Sequence, residues 1–107
     1  MKKEQINCWK RIKYMVANNF ITNIKTGIIS NNQVAIIDYA VNVFIKSKSS
    51  STDEGLIEYL DYENNEVIGQ ISLEVGERKT YNAPRGRYLP RIRITAGRNS
   101  IIEYEYI

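Results

Sequence analysis

The chain is 107 residues long, the size of one domain that can bury its own core without disulfides or metal. Hydrophobic residues at 43% and charged residues at 25% match ordinary globular usage and exclude a wholly disordered chain. Net charge is only +3 and histidine is absent, which removes Ser-His-Asp and Cys-His catalysis and the usual zinc sites.

Seventeen isoleucines and eight tyrosines dominate the apolar set. Both suit a pleated, half-buried surface, so the expected fold class is all-β. Cys8 is the single cysteine, so no intrachain disulfide can form and a reducing compartment is expected. In MKKEQINCWKRIKYMV, lysine and arginine interrupt the chain before any apolar run long enough for a signal peptide. The apolar stretches Val34 to Ile37 and Ala40 to Ile45 are too short to span a bilayer. A cytoplasmic or virion-associated protein is the expectation.

Residues 1 to 19 read as a short helix or arm: Cys8, Trp9, Ile12, Met15 and Val16 follow helical spacing, although Ile12, Tyr14 and Val16 also alternate as a strand would. Residues 20 to 107 read as a single antiparallel β-sandwich of seven to eight strands. Phe20, Thr22, Ile24, Thr26 and Ile28 alternate against Asn23 and Lys25, with Asn31 and Asn32 as the next turn. QVAIIDYAVNVFIK is either one long strand bent near Asp38 or two short ones. KSKSSSTDEG reads as a flexible polar loop.

GLIEYLDYENNEVIGQISLEV reads as a hairpin with Asn64 and Asn65 as a two-residue turn. Tyr62 then opposes Val67, Leu60 opposes Gly69 and Leu56 opposes Leu73, with Glu58 against Ile71 as the one mismatch. Gly69 predicts close approach by a backbone or a ring. Turn signals at Gly76, Pro84 and Gly86 bracket a short strand near Lys79 to Tyr81. The closing stretch reads as a second hairpin. A three-residue loop at Gly97 to Asn99 matches Ile94 with Ile102, Arg93 with Glu103, Ile92 with Tyr104 and Arg91 with Glu105.

Charge falls in blocks. Residues 1 to 48 carry eight basic and two acidic side chains, residues 49 to 77 eight acidic and none basic, and residues 78 to 107 seven basic and two acidic. Either the blocks form a dipolar surface that orders identical subunits, or strands of opposite sign neutralise each other in space. Six of the seven arginines fall within residues 78 to 98. Arg78, Lys79, Arg85, Arg87 and Arg98 are candidates for a basic rim, with Tyr81 and Tyr88 available to stack on bases or sugars.

Chemistry-bearing motifs are few. Cys8 has no base beside it, the six glycines form no phosphate loop, and Asp53 and Glu54 have too few oxygen neighbours for calcium. Glu58, Asp61 and Glu63 read as a solvated edge. No cofactor, metal site or enzymatic activity is expected. The leading expectation is a homo-oligomeric structural or interaction module. Its richness in Ile, Asn and Lys suggests an AT-rich genome, such as that of a low-GC bacterium or one of its phages, and the module is expected to be a component of a phage or other viral particle, such as a capsid-decoration or tail-associated subunit. Trp9, the Tyr104 and Tyr106 strand and the charge blocks would make the contacts with itself or an assembly partner. The alternatives are a regulator or inhibitor that binds nucleic acid, or a nucleic-acid enzyme, through the arginine-rich third, and a carbohydrate-binding module.

Overall fold

The computed structural model describes residues 24–107. The expected helix or arm over residues 1–19, with Cys8 and Trp9, and the start of the strand read from Phe20 lie outside the described residues. Eight strands follow: β1 (Lys25–Ser30), β2 (Val34–Ile37), β3 (Asn42–Ser47), β4 (Gly55–Leu60), β5 (Val67–Leu73), β6 (Arg78–Asn82), β7 (Arg91–Thr95) and β8 (Ile101–Tyr106). They form two antiparallel sheets with no helix among the described residues, so the all-β sandwich expected from composition and periodicity is the fold observed.

The sheet orders are β1-β8-β3-β6 and β2-β7-β4-β5. The logic is that of one long hairpin rolled up. Its tip is the β4–β5 turn, and β3 with β6, β2 with β7 and β1 with β8 pair successively behind it, each pair passing to the other sheet. This is the double Greek key of an eight-stranded jelly roll.

Local chemistry explains the turns. Asn31 and Asn32 take left-handed conformations (φ 50° and 69°) at the β1–β2 turn, which asparagine tolerates. The long apolar run splits at Asp38 into β2 and β3, which belong to opposite sheets. Inward positions supply the core: Ile29, Ile37, Val43, Ile45, Ile57, Leu73, Ile92, Ile94 and Ile102 are buried together between the sheets.

Two expected registers are corrected. In the β4–β5 hairpin Tyr59, not Leu60, faces Gly69, and Leu56 faces Ser72 rather than Leu73. The turn is longer than two residues: the Asp61 amide donates to the Glu66 carbonyl, Asp61 Oδ1 accepts from the Glu63 amide, and Asn64 Oδ1 accepts from the Glu66 amide. These side chains stabilise a wider loop than a bare Asn-Asn turn would make. A bulge between Tyr59 and Leu60 leaves Ile68 as the extra residue, and the slip moves Ile57 and Tyr59 to the core side. The approach of a ring to Gly69 survives with a different donor: a Cβ there would sit 3.4 Å from the Tyr59 ring.

The second correction is larger. β7 and β8 do not pair at all; β7 lies between β2 and β4, and β8 between β1 and β3. Ile92 and Ile94 therefore meet Ile102 across the core. Every strand here alternates with the same period, so a matching register between sequence neighbours does not establish that they share a sheet.

The serine-rich loop between β3 and β4, expected to be flexible, is anchored by hydrogen bonds. Ser51 is buried; its Oγ accepts from the Ile101 amide at 2.9 Å and donates to the Ile101 carbonyl at 3.2 Å. The Thr52 amide donates to the Asn99 carbonyl, and Asp53 Oδ2 accepts from the Asn99 amide at 2.8 Å. Gly97 completes the contact, since a Cβ there would collide with the Glu54 carbonyl.

Candidate functional site

The arginine stripe is neutralised, but by residues other than Glu103 and Glu105. Arg93 Nε donates to Glu58 Oε1 at 2.7 Å, and Glu58, read as part of a solvated edge, is only 8% exposed. Arg91 Nε donates to Asp38 Oδ1 at 2.7 Å and Arg91 Nη1 to Asn65 Oδ1. The hydrogen bond to its carboxylate is the main reason each guanidinium binds its proton more tightly than usual. Glu103 instead meets Lys48 at 3.8 Å, and Glu105 lies between Thr26 and Phe44 on the neighbouring strands.

The expected basic rim does not form one surface. Arg85 and Arg87 are exposed on the β6–β7 loop at one end of the roll, and Arg98 is exposed in the β7–β8 turn at the other. Arg78 and Lys79 point to opposite sides of β6. Lys79 pairs with Glu77 at 2.8 Å, which raises the lysine pKa and lowers that of the carboxylate. Tyr81 packs edge-to-face on Tyr59 with centroids 5.5 Å apart, so its ring is committed to the core margin. Tyr104 and Tyr106 also pack against the core. Trp9 lies outside the described residues.

Tyr88 is the expected site residue that meets an unforeseen arrangement. It is 57% exposed and its ring stands edge-on to Tyr39 at 5.9 Å, while Tyr39 stacks on Tyr62 at 5.2 Å. The three tyrosines come from the β2–β3, β4–β5 and β6–β7 connections, which the roll gathers at one end. The Tyr62 hydroxyl donates to the Leu89 carbonyl, and Arg91 lies 5.6 Å over the Tyr62 ring. Next to this cluster the outer face of the β2-β7-β4-β5 sheet carries a depression of about 360 Å³, lined by Ile36, Asp38, Leu60, Asn65, Arg91 and Arg93.

A second feature lies along the strands. Among the described residues, β2 and β5 are the two edges of one sheet and β1 and β6 the edges of the other. β1 begins with Lys25 and β6 with Arg78 and Lys79, charges of the kind that discourage strand addition. β2 (VAII) and β5 (VIGQISL) carry no charge and no proline. Their apolar side chains stand in solvent: Val34 is 51%, Ile36 48% and Ile68 61% exposed. No motif marks this in the sequence; it emerges only when strand order shows which strands are edges.

No family model matches the chain. The tRNA modification GTPase MnmE of Carsonella ruddii (strain PV) is 28% identical over 102 residues, covering 92% of this chain and 23% of that protein. The chain thus spans about a quarter of that relative's length, and it has no Gly-x-x-x-x-Gly-Lys-Ser/Thr loop. A de novo designed double-stranded β-helix solved by NMR superposes with TM-score 0.49 at 16% identity, covering 79% of this chain and 96% of the design. A chain from Bacillus endospore appendages, described as disulfide-linked pili, superposes with TM-score 0.43 at 11% identity, covering 78% and 85%. The jelly-roll assignment rests on the strand order and registers. No helix among the described residues is long and apolar enough to cross a membrane.

Proposed function

We propose that the protein is a non-enzymatic assembly subunit whose copies join edge to edge through the β2-β7-β4-β5 sheet, building a repeating protein particle or fibre such as a viral particle component. Jelly rolls also serve as lectins and cupins, so the fold alone does not carry this reading. The observation that carries it is the asymmetry of the edges: one sheet has charged edges, and the other has two uncharged, apolar ones.

Geometry supports a second copy as the occupant. Neighbouring strands in the order β2-β7-β4-β5 are all antiparallel, so β2 and β5 run in opposite directions. A copy placed beside the first without reversal sets its β2 antiparallel to β5 and continues the sheet. The four residues of β2 are short enough to lie along the edge of β5 between Ile68 and Leu73. Such a contact is heterologous, so it propagates into rings or filaments rather than closing as a pair.

The test is light scattering with negative-stain electron microscopy on the wild-type chain and on Val34→Lys and Ile68→Lys. Wild type is expected to form assemblies larger than a dimer as concentration rises. Each variant is expected to run as a monomer with stability within about 0.5 kcal/mol of wild type, since both positions are exposed. A wild type that stays monomeric at every concentration, or variants that assemble as well as it does, would overturn the proposal.

A further inference from the structure

We infer that the tyrosine-lined end of the roll, with the adjoining depression, is a binding site for a neutral oligosaccharide. This shares Ile36 with the β2 edge but otherwise rests on side chains outside both edge strands, and it does not require the assembly reading.

Three independent observations converge. The first is aromatic exposure without an evident packing reason. Tyr39 is 64% exposed and sits at φ 54°, a left-handed conformation that bulky residues rarely adopt and that clusters at ligand sites. Stacking on Tyr62 and edge contact with Tyr88 hold its ring in place, which presents a rigid, amphipathic surface suited to the C–H face of a pyranose.

The second is a converging polar set. Asp38 and Asn65 are both tied to Arg91, which fixes all three at the rim of the depression. The second Asp38 oxygen, the Asn65 amide nitrogen and the remaining Arg91 nitrogen are not used in these two bonds. Together they offer one acceptor and two donor groups, the mixture that vicinal hydroxyls require because each hydroxyl both donates and accepts. Ile36 and Leu60 supply an apolar floor. At about 360 Å³ the volume lies at the lower end of small-ligand sites, roughly 300–1,000 Å³, the scale of one or two sugar rings.

The third is charge. Each arginine lining the depression is already matched by a carboxylate, Arg91 by Asp38 and Arg93 by Glu58. A phosphate or uronate would have to displace those partners and face the freed carboxylates. The site therefore favours an uncharged ligand over nucleic acid. A proline-rich peptide would use the rings but leave the fixed polar groups at the rim unused.

The experiment is isothermal calorimetry on the full chain with malto-, cello-, xylo- and chito-pentaose, alongside decaproline and a ten-residue oligothymidylate. At least one neutral pentaose is expected to bind with a dissociation constant below about 1 mM. Tyr39→Ala is expected to weaken it about tenfold or more, as loss of an aromatic platform does, while Tyr39→Phe keeps the affinity. Asp38→Asn should weaken it as well, and Ile68→Lys, the variant designed to disrupt the β5 edge, should leave it unchanged. The inference is overturned if no pentaose binds, if Tyr39→Ala binds as well as wild type, or if decaproline or the oligonucleotide binds in preference to the sugars.

Discussion

At the residue scale the tyrosines govern how stability depends on pH. Burial is the main reason that the Tyr59, Tyr62 and Tyr106 phenols titrate above the ordinary value of 10.0, with the Tyr81 hydroxyl adding to the effect at Tyr59. The folded chain thus keeps these protons over a range in which the unfolded chain has lost them. The stability they contribute is complete below pH 10 and is lost as pH rises through the folded-state values. Urea unfolding is therefore expected to show a flat free energy between about pH 7 and 9 and a steep fall above about 10. Tyr59→Phe, which removes the largest of these shifts, should reduce the slope of that fall; an unchanged slope would show that Tyr59 does not contribute. The same residues show where reading the sequence stops. Eight tyrosines predict β structure, but their spacing does not separate Tyr81, turned against Tyr59, from Tyr88, left in solvent. Tyr39, Tyr62 and Tyr88 become neighbours only because three loops meet at one end of the roll.

At the element scale the β3–β4 loop is held by side chains that composition treats as linker material. Serine repeats predict flexibility because they have nothing apolar to bury, yet Ser51 Oγ bonds both the amide and the carbonyl of Ile101 and so acts as a substitute strand partner at the start of β8. Ser51→Ala leaves the Ile101 amide without that partner in a part-buried setting, while the Ile101 carbonyl keeps the Lys48 amide as donor. It is expected to destabilise the chain by about 1–3 kcal/mol and to speed hydrogen exchange at the Ile101 and Thr52 amides; unchanged exchange would mean that the loop is held by other contacts. Elements formed by local chemistry were legible: the Asn31-Asn32 turn, the short β6 and the alternation of Ile92 and Ile94. Pairings between distant strands were not. β7 alternates as cleanly against β2 and β4 as it would against β8, and only the closing of the roll decides among them. Glu58 marks the consequence, since it looks misplaced opposite Ile71 but belongs beside Arg93 on the outer face once β7 is its neighbour.

At the scale of the whole molecule, charge separated along the chain is brought together in space. Asp53 and Glu58, from the acidic middle block, meet the Asn99 amide and Arg93 of the last block; Glu77 meets Lys79, and Lys48 of the first block meets Glu103 of the last. Among the described residues, part of the acidic middle block is therefore neutralised by the last block rather than standing as a separate patch. In the proposed assembly the contact is made by the uncharged edges β2 and β5, where the driving forces are backbone hydrogen bonds and burial of Val34, Ile68 and their neighbours. Screening acts on exposed charges separated by more than about 10 Å at 0.1 M salt, and it leaves those forces almost untouched. Light scattering at fixed protein concentration is accordingly expected to give the same assembly size from about 0.05 to 0.5 M sodium chloride, and a larger one in sulfate, which strengthens apolar burial. Dissociation on adding sodium chloride would return the contact to charge and remove the edges from the assembly.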